Sequence, residues 1–589
     1  MEKQDLDHAL RWLLFSQSQL EARLARLEYS RVFRFLRYSG DVLTRLSMAL
    51  HRGLAPLTGK GEAQPVEDAE YATWTEFEKK QIPPGERLRS ESEAWHHRPS
   101  ISLLLPLHNP RRDWLEAAVS SVLSQTYTHW ELRLCDDGNR QDWLDEYLSG
   151  LAANDRRVRW TRLDRPQGMA ASLNEAGRLA SGDFVAWFDP GGLLAPHALH
   201  YVAEALREGS PDVLYSDEDE FDSDGKRRRP VFKPAWSPAL LDACMYLGRL
   251  LVVSRRRIEE AGWFRSECEA ACDHDLLLRL AQRPLQVRHI PRVLYHGRSG
   301  QCVAVSEKKA PHQAANGRIS VIVCSRNARL LGHCLRNLRR VTEFPDWEIV
   351  LALHTFGSDT RLRQVAADHG CRFVTYTGPF NYSQMNNMAA AIATGEFLLF
   401  LNDDVTPLQP GWMRSLSSQL NRPNSGIAGA KLLYSNGTIQ HAGIVVGPPM
   451  AAWHVGRHSL GSGYWKWLDF PRNVSAVTGA CLGIRRTLFE QLGGFDIGLP
   501  VNYNDVDLCL RCLQAGHDVI CDPGATLCHR ECSSRTPLVT YDEMLSLFSR
   551  WPHRLGQPDP FYSPCLQPDS EEPRLSFDWD VMQAGLDAR

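Results

Sequence analysis

The sequence has no run of about 18 consecutive apolar residues, the length a membrane-crossing helix needs, so no span is expected. It has no excess of either charge: 67 Lys and Arg stand against 70 Asp and Glu, for a net charge of −3. An extended basic surface for nucleic acid is therefore not expected. No Gly-rich basic phosphate loop precedes a strand, which argues against a nucleotidyltransferase. The opening MEKQDLDHALRWLL has acidic residues and no charged-then-apolar leader with a small-residue cleavage site, so a cytoplasmic location is expected. A disulfide framework is missing too. The 15 cysteines are odd in number and scattered through apolar segments (Cys135, Cys324, Cys481), which reads as reduced, buried thiols. One cluster, Cys509, Cys512, Cys521, Cys528, His529 and Cys532, raises a structural zinc site, but its spacings match no common zinc module.

What is present is an internal repeat. At 589 residues the chain is too long for one core. ISLLLPLHN (101–109) matches ISVIVCSRN (319–327), and HWELRLCDDG (129–138) matches DWEIVLALHTFG (346–357). SLNEAGRLASGDFVAWFD (172–189) matches QMNNMAAAIATGEFLLFLN (384–402), and CDHDLLLRL (272–280) matches NDVDLCLRC (504–512). The repeat unit exceeds 200 residues, far beyond a solenoid period, so a whole domain is duplicated. Short β-branched or Leu-rich strands alternate with helical patterns in each copy, the signature of a mostly parallel α/β sheet.

The organisation expected is a helical segment over 1–55, a polar linker over 56–98, a first domain over 99–305, a linker over 306–317, a second domain over 318–535 and a C-terminal tail over 536–589. Residues 31–60 carry six Lys/Arg against one Asp among Val32, Phe33, Phe35 and Leu36. That stretch reads as a helical hairpin packed on protein, or as a basic amphipathic surface making peripheral contact with the inner face of the membrane.

In open α/β sheets ligands bind at the carboxyl ends of strands, where the strand order reverses. LLFLNDDVTP delivers Asn402, Asp403 and Asp404 to such an end. Adjacent carboxylates there are costly unless solvated or paired with a cation, and their hard oxygens suit Mg²⁺ or Mn²⁺. The plain alternative is a turn or helix cap. Downstream, Asn504 or Asp505 is expected to cap a helix running to Gly516. A cap needs one residue, which leaves a spare carboxylate at Asp505 or Asp507 as a candidate general base. His529 follows at the end of a short strand, twenty-four residues past Asp505.

These stretches, with SDEDEFDSDGKRRRPVFKPAWSPALL (216–241), AKLLYSNGTIQHAGIVVG (430–447), RNVSAVTGACLGIRR (472–486) and GGFDIGLPVNYNDVDLCLR (493–511), resemble tandem bacterial family-2 glycosyltransferases. The resemblance covers about 98–535 and implies two GT-A type, Rossmann-like nucleotide-diphospho-sugar transferase domains. It implies sugar transfer from a nucleotide-diphospho-sugar to a glycan or lipid-linked glycan in O-antigen, capsule or similar assembly. Residue by residue it makes Asp404 the metal carboxylate, Asp403 its donor-facing neighbour beside Asn402 and Asn387, and Asp505 the inverting base. His529 completes the metal shell, and Thr478, Gly479 and Ala480, with Asp507 and Trp453, lie toward the acceptor and donor sugar.

The two copies depart from the pattern in opposite ways. After DWEIVLA the second has Leu353, His354, Thr355 and Phe356 where the family has an Asp and a small polar turn. His354 reads as a substitute base contact or a surface histidine. The first keeps Asp136 and Asp137 as nucleotide contacts, with Asp189, Asp273, Asp275 and His296 as its remaining site, but Gly191 stands where Asp404 stands. Asp217, Glu218 and Asp219 offer replacement ligands, unless the run is a solvated loop. Catalysis is thus expected mainly in the second domain. Two working transferases, or a non-catalytic glycan- or nucleotide-binding scaffold, are the alternatives. The three-Trp stretch 451–470 reads as a mobile acceptor loop or a packed insertion.

Overall fold

A computed structural model describes residues 66–139, 141–298, 317–355, 360–448, 450–530, 539–567, 570 and 573–587. The helices expected over 1–55 and nearly all of the 306–317 linker lie outside the described residues. No helix among the described residues is long and apolar enough to cross a membrane. Two compact units emerge. One gathers the described residues of Gln64–Ala310, Gln557–Pro568 and Pro573–Arg589, the other those of Pro311–Gly556 and Asp569–Glu572.

The first unit is built on nine strands: β1 (Ile101–Leu107), β2 (Trp130–Asp136), β3 (Val158–Arg162), β4 (Phe184–Trp187), β5 (Leu193–Leu194), β6 (Val213–Phe221), β7 (Arg227–Val231), β8 (Leu251–Ser254) and β9 (Val287–Arg298). They run in the order β3-β2-β1-β4-β8-β6-β9-β5, with β7 on β6. Every residue of β1 is buried, as expected of a parallel strand covered on both faces. Parallel pairing of β1 with both β2 and β4 puts the reversal of strand order at the carboxyl end of β1.

The second unit repeats this order with β10 (Ile319–Ser325), β11 (Trp347–His354), β12 (Arg372–Tyr376), β13 (Phe397–Asn402), β14 (Val405–Pro407), β15 (Ser425–Leu433), β16 (Ile439–His441), β17 (Ile444–Gly447), β18 (Met450–His454), β19 (Arg472–Asn473), β20 (Cys481–Arg485) and β21 (Asp518–His529). Its path is β12-β11-β10-β13-β20-β15-β21-β14, the same route strand for strand. Small bracing devices recur as well. Glu131 accepts from Ser102 and Ser181 in one unit, and Glu348 from Ser320 and Thr394 in the other. Asn174 grips both backbone groups of Phe264, and Asn387 both of Phe495. A shared set of polar clips, not only shared hydrophobicity, marks the duplication.

The second unit adds the two-stranded ribbon β17–β18 and a turn over Tyr464–Asp469. Tyr464 and Leu468 are buried there, Leu468 against Ile439 and Ala442, while Trp453, Trp465 and Trp467 are half-exposed. The stretch is therefore a packed insertion that keeps aromatic edges at its surface.

Several expectations need correction. Part of the polar 56–98 stretch is not a linker: helices Asp68–Gln81 and Gly85–Glu93 form, and Tyr71 and Trp74 are buried against Phe232. Two buried aromatics on the first of these helices outweigh the polar composition around them. The acidic run 217–220 is neither a solvated loop nor a free ligand set. It lies inside β6, with Asp217 on His289, Glu218 on Lys233, and Asp219 on Arg227, His296 and Tyr71. Cys509, Cys512 and Cys521 are enclosed in the core as free thiols, and among the described residues they assemble no metal cluster.

Candidate active site

In the second unit, β13 carries Asn402 to the carboxyl edge, and Asp403 and Asp404 form the turn into β14. Antiparallel pairing of β14 with β21 sets Val405 opposite His529. That register brings Asp404 Oδ1 to 3.1 Å from His529 Nε2, with Asn402 Nδ2 at 3.5 Å from the same nitrogen. On its other side the ring meets Gln440 Oε1 at 2.6 Å from Nδ1. A carbonyl oxygen accepts only, so Nδ1 carries a proton and the Nε2 edge is left to face Asp404. The immediate neighbour behaves differently. Asp403 turns inward, where Ser325 Oγ donates to it at 2.5 Å, and burial with the adjacent Asp404 charge pushes its pKa up to about 6 against that hydrogen bond.

Asp505 sits at the start of the Asn504–Gln514 helix. Neither Asn504 nor Asp505 caps that helix, contrary to the sequence reading. The cap position is Tyr503, held in the left-handed region at φ 59°, and Asn504 instead donates back to Leu499 and Val501 carbonyls. A non-glycine residue in that region costs about 1 kcal/mol or more, strain that collects at functional sites. Asp505 Oδ2 accepts from Gly479 N–H at 2.8 Å and Oδ1 from Val506 N–H at 2.8 Å, and the side chain keeps partial solvent access. Tyr382 Oη donates to the Gly479 carbonyl at 2.8 Å, so the Thr478–Gly479–Ala480 turn is held from both sides. Thr478 N–H points to His441 Nε2 at 3.4 Å.

Asp507, expected toward the acceptor, lies elsewhere. Its carboxylate is 0% exposed and is bonded by Arg511, Arg550 and the Trp551 indole. Arg550 and Trp551 belong to the C-terminal residues, and so does Glu543, which accepts from the Val501 and Asn502 backbone N–H groups at 2.8 and 2.7 Å. The C-terminal residues thus fix both flanks of Asp505. Asn387 is likewise occupied with Phe495, Trp453 sits on β18 opposite Val445, and His354 is buried rather than at the surface, bonded to the Gly378 carbonyl and tilted on Tyr376.

The first unit gathers a different set at the equivalent edge. Asp136 and Asp137 are buried with their oxygens taken up internally, Asp136 by Arg162 and Asn139, Asp137 by Gln167, Gly168 and His108. Asp275 is tied to Arg279. Asp189 and Asp273 do meet, through Arg249, which contacts them at 2.8 and 3.3 Å. His296 requires a correction. Tyr295-His296-Gly297-Arg298 runs as Leu527-Cys528-His529-Arg530 does, with Glu218 opposite Tyr295 where Leu432 is opposite Leu527. Gly297, not His296, therefore holds the place of His529. Because side chains alternate along a strand, that one-residue offset sends His296 to the other face, where it bonds Asp219 at 2.5 Å.

Sequence reasoning did not single out Gln440, Ser325, Tyr382, Glu543 or Arg249. Gln440 lay within a quoted motif but in an apolar-looking strand, and the others become visible only when distant segments meet.

Comparison with known proteins follows the duplication. A family profile described as glycosyl transferase family 2 matches residues 102–250, and one described as glycosyltransferase like family 2 matches 316–551. The O-antigen biosynthesis protein RfbC of Myxococcus xanthus is 34% identical over 90% of this chain and 45% of its own length. An uncharacterized protein, y4gI, of Sinorhizobium fredii is 32% identical over 74% of this chain and 54% of its own length. The chain thus spans about half the length of these two curated relatives. The solved structure of S. aureus TarS 1-349 aligns at a TM-score of 0.30 and 16% identity, over 34% of this chain and 60% of that one.

Proposed function

The chain belongs to glycosyltransferase family 2, two of whose domains it carries in tandem, and on that premise we propose that its second domain transfers a sugar from a nucleotide-diphospho-sugar to a glycan hydroxyl with inversion. The single observation that carries this reading is the Asp404–His529 contact at 3.1 Å, backed by Gln440, beside an Asp505 carboxylate that retains solvent access. The similarity to an O-antigen biosynthesis protein supports a cell-surface polysaccharide as the product.

The donor set suits a divalent cation. Asp404 offers a hard oxygen, His529 a ring nitrogen whose second N–H is already engaged, and such carbonyl-anchored histidines are the usual metal-ligand arrangement. Mg²⁺ or Mn²⁺ held there would neutralise the diphosphate leaving group. The protein's own part is to aim Asp505. Backbone N–H groups of Gly479 and Val506 orient its oxygens, and Tyr503 and Glu543 fix the helix start beneath it. An ionised Asp505 then takes the proton of the acceptor hydroxyl as that oxygen attacks the anomeric carbon, help typically worth about 10²–10⁴-fold.

The test is nucleoside diphosphate release from a panel of UDP-, GDP- and dTDP-sugars by the full chain, with Mn²⁺ or with EDTA. Release from at least one donor that depends on the metal is expected. No release from any donor, with or without an added lipid-linked glycan, would favour a binding scaffold.

A further inference from the structure

The ion pairs of the first unit suggest more than the loss of a site. Across the sheet, Trp187 pairs with Leu251 on β8, as Phe400 pairs with Leu482 on β20. Two residues upstream, Arg249 therefore takes the place of Ala480, and Gly248 that of Gly479. Where the second domain has a methyl group beside its acidic turn, the first has a guanidinium.

The surroundings are matched to that cation. Arg249 Nε lies 2.8 Å from Asp189, in the place of Asn402, and Nη1 lies 3.3 Å from Asp273, in the place of Asp505. Its backbone N–H donates to Glu218 at 2.6 Å, where the second domain has Leu432, and Glu218 is itself 3.3 Å from the buried Lys233. The neighbouring turn is filled by the Tyr295 ring: a Cβ on Gly192 would overlap the Tyr295 hydroxyl oxygen. In the place of Tyr295 the second domain has Leu527. Arg249, Asp189 and Asp273 side chains are 23, 26 and 18% exposed, so the three charges share a partly buried pocket. Burial opposes the Arg249 charge, but Asp189, Tyr295, Asp273 and Glu218 together raise its pKa above the ordinary arginine value.

We propose that Arg249 is the resident cation of the first domain, beside the turn whose counterpart in the second domain would take a divalent ion, so that this site binds no metal and holds Asp273 as an ion pair instead of a free base. The pairing of charges explains why loss of the metal carboxylate at Gly191 and of the histidine at Gly297 leaves no unbalanced acid behind. A buried carboxylate without a counter-ion is strongly destabilising, and a covalently tethered guanidinium removes the need for a soluble one. The comparison rests on the proposed metal position at Asp404, but the ion pairs themselves do not, and the test separates the two.

Mn²⁺ binding is counted by electron paramagnetic resonance on the full chain, with thermal melting in parallel. The wild type should bind about one Mn²⁺, and Asp404→Ala none. Adding Arg249→Ala to Asp404→Ala should lower the first melting transition by roughly 4–8 °C and create a Mn²⁺-dependent rise that Asp404→Ala alone lacks. Arg249→Gln gives the same readout if the alanine variant does not fold, and Arg249→Lys should remain indifferent to Mn²⁺. A Mn²⁺ that survives Asp404→Ala and is lost in Asp273→Asn would overturn the proposal. So would a double variant that melts as Asp404→Ala does, or shows no response to Mn²⁺. A wild type with no bound Mn²⁺ would sink the metal reading of the second domain while leaving the Arg249 arm decisive.

Discussion

Two turns occupy the same place in the same strand order: Asn402-Asp403-Asp404 after β13 and Asp189-Pro190-Gly191 after β4. One faces a histidine held by an amide carbonyl, the other a guanidinium gripped by two carboxylates. The difference shows how a duplicated site drifts. The first unit has Gly191 and Gly297 where the second has Asp404 and His529, and it sets Arg249, Glu218 and Tyr295 around that turn. Carboxylates gathered in a pocket need a counter-charge, and on the proposed reading a tethered guanidinium supplies it in the first unit where a soluble cation would supply it in the second.

The comparison is broken most severely at the ligands. Asp404→Ala should cut donor turnover on the order of 10³-fold, since electrostatic help from a bound cation is worth several kcal/mol. The reverse change, Gly191→Asp, should create no metal response, because Arg249 still neutralises Asp189 and Asp273 beside it. A Mn²⁺-dependent melting shift in that single variant would show the pocket to be more open than the ion pairs imply.

A smaller effect is expected one step away. Gln440→Ala should weaken the affinity for Mn²⁺ about 10–100-fold, with turnover largely recovered at saturating metal, as is usual for groups that orient a metal-bound histidine. Metal titrations identical to wild type would remove Gln440 from the account.

Glu543 sharpens the comparison differently, since it braces the start of the Asp505 helix from the C-terminal residues, whereas Asp273 is held by Arg249. Burial raises the Glu543 pKa, but bonds from Asn502, Thr540 and Val501 outweigh that and hold it below the ordinary value. A carboxylate depressed on folding stabilises above its unfolded pKa and loses that contribution as the pH falls through the folded one. Glu543→Gln should therefore cost about 1–3 kcal/mol at pH 7, with the gap to wild type narrowing as the pH is lowered below about 4.3. A gap that stays constant from pH 7 to pH 3 would refute the charged role.

Much of this was legible in the sequence, for reasons that can be stated. Repeated strand-turn segments revealed the duplication. Apolar runs ending in acidic turns, as at Asn402-Asp403-Asp404, located the candidate catalytic edge, because a parallel strand must be continuously apolar and must release its polar residues at the end. The pairing of Asp404 with His529 was anticipated as a ligand set carried over from the family likeness. Register was not legible. His296 keeps nearly the right spacing from Asp273, yet one residue of offset turns it to the opposite face. Arg249 was hidden in a loop, and Tyr71 and Trp74 in a stretch whose Pro, Glu and Lys content resembles a linker. The acidic run in β6 shows the same limit: its cations come from β7, β9 and the loop after β7, and no local pattern announces them.

The most direct test sets Asp505→Asn beside Asp273→Asn in the full chain, with the same donor, metal and acceptor. The account predicts a loss of about 10²–10⁴-fold in transfer for Asp505→Asn, with donor binding retained, and transfer within about 2-fold of wild type for Asp273→Asn, the variation expected from disturbing a partly exposed ion pair. Near-wild-type turnover in Asp505→Asn together with abolished transfer in Asp273→Asn would contradict it.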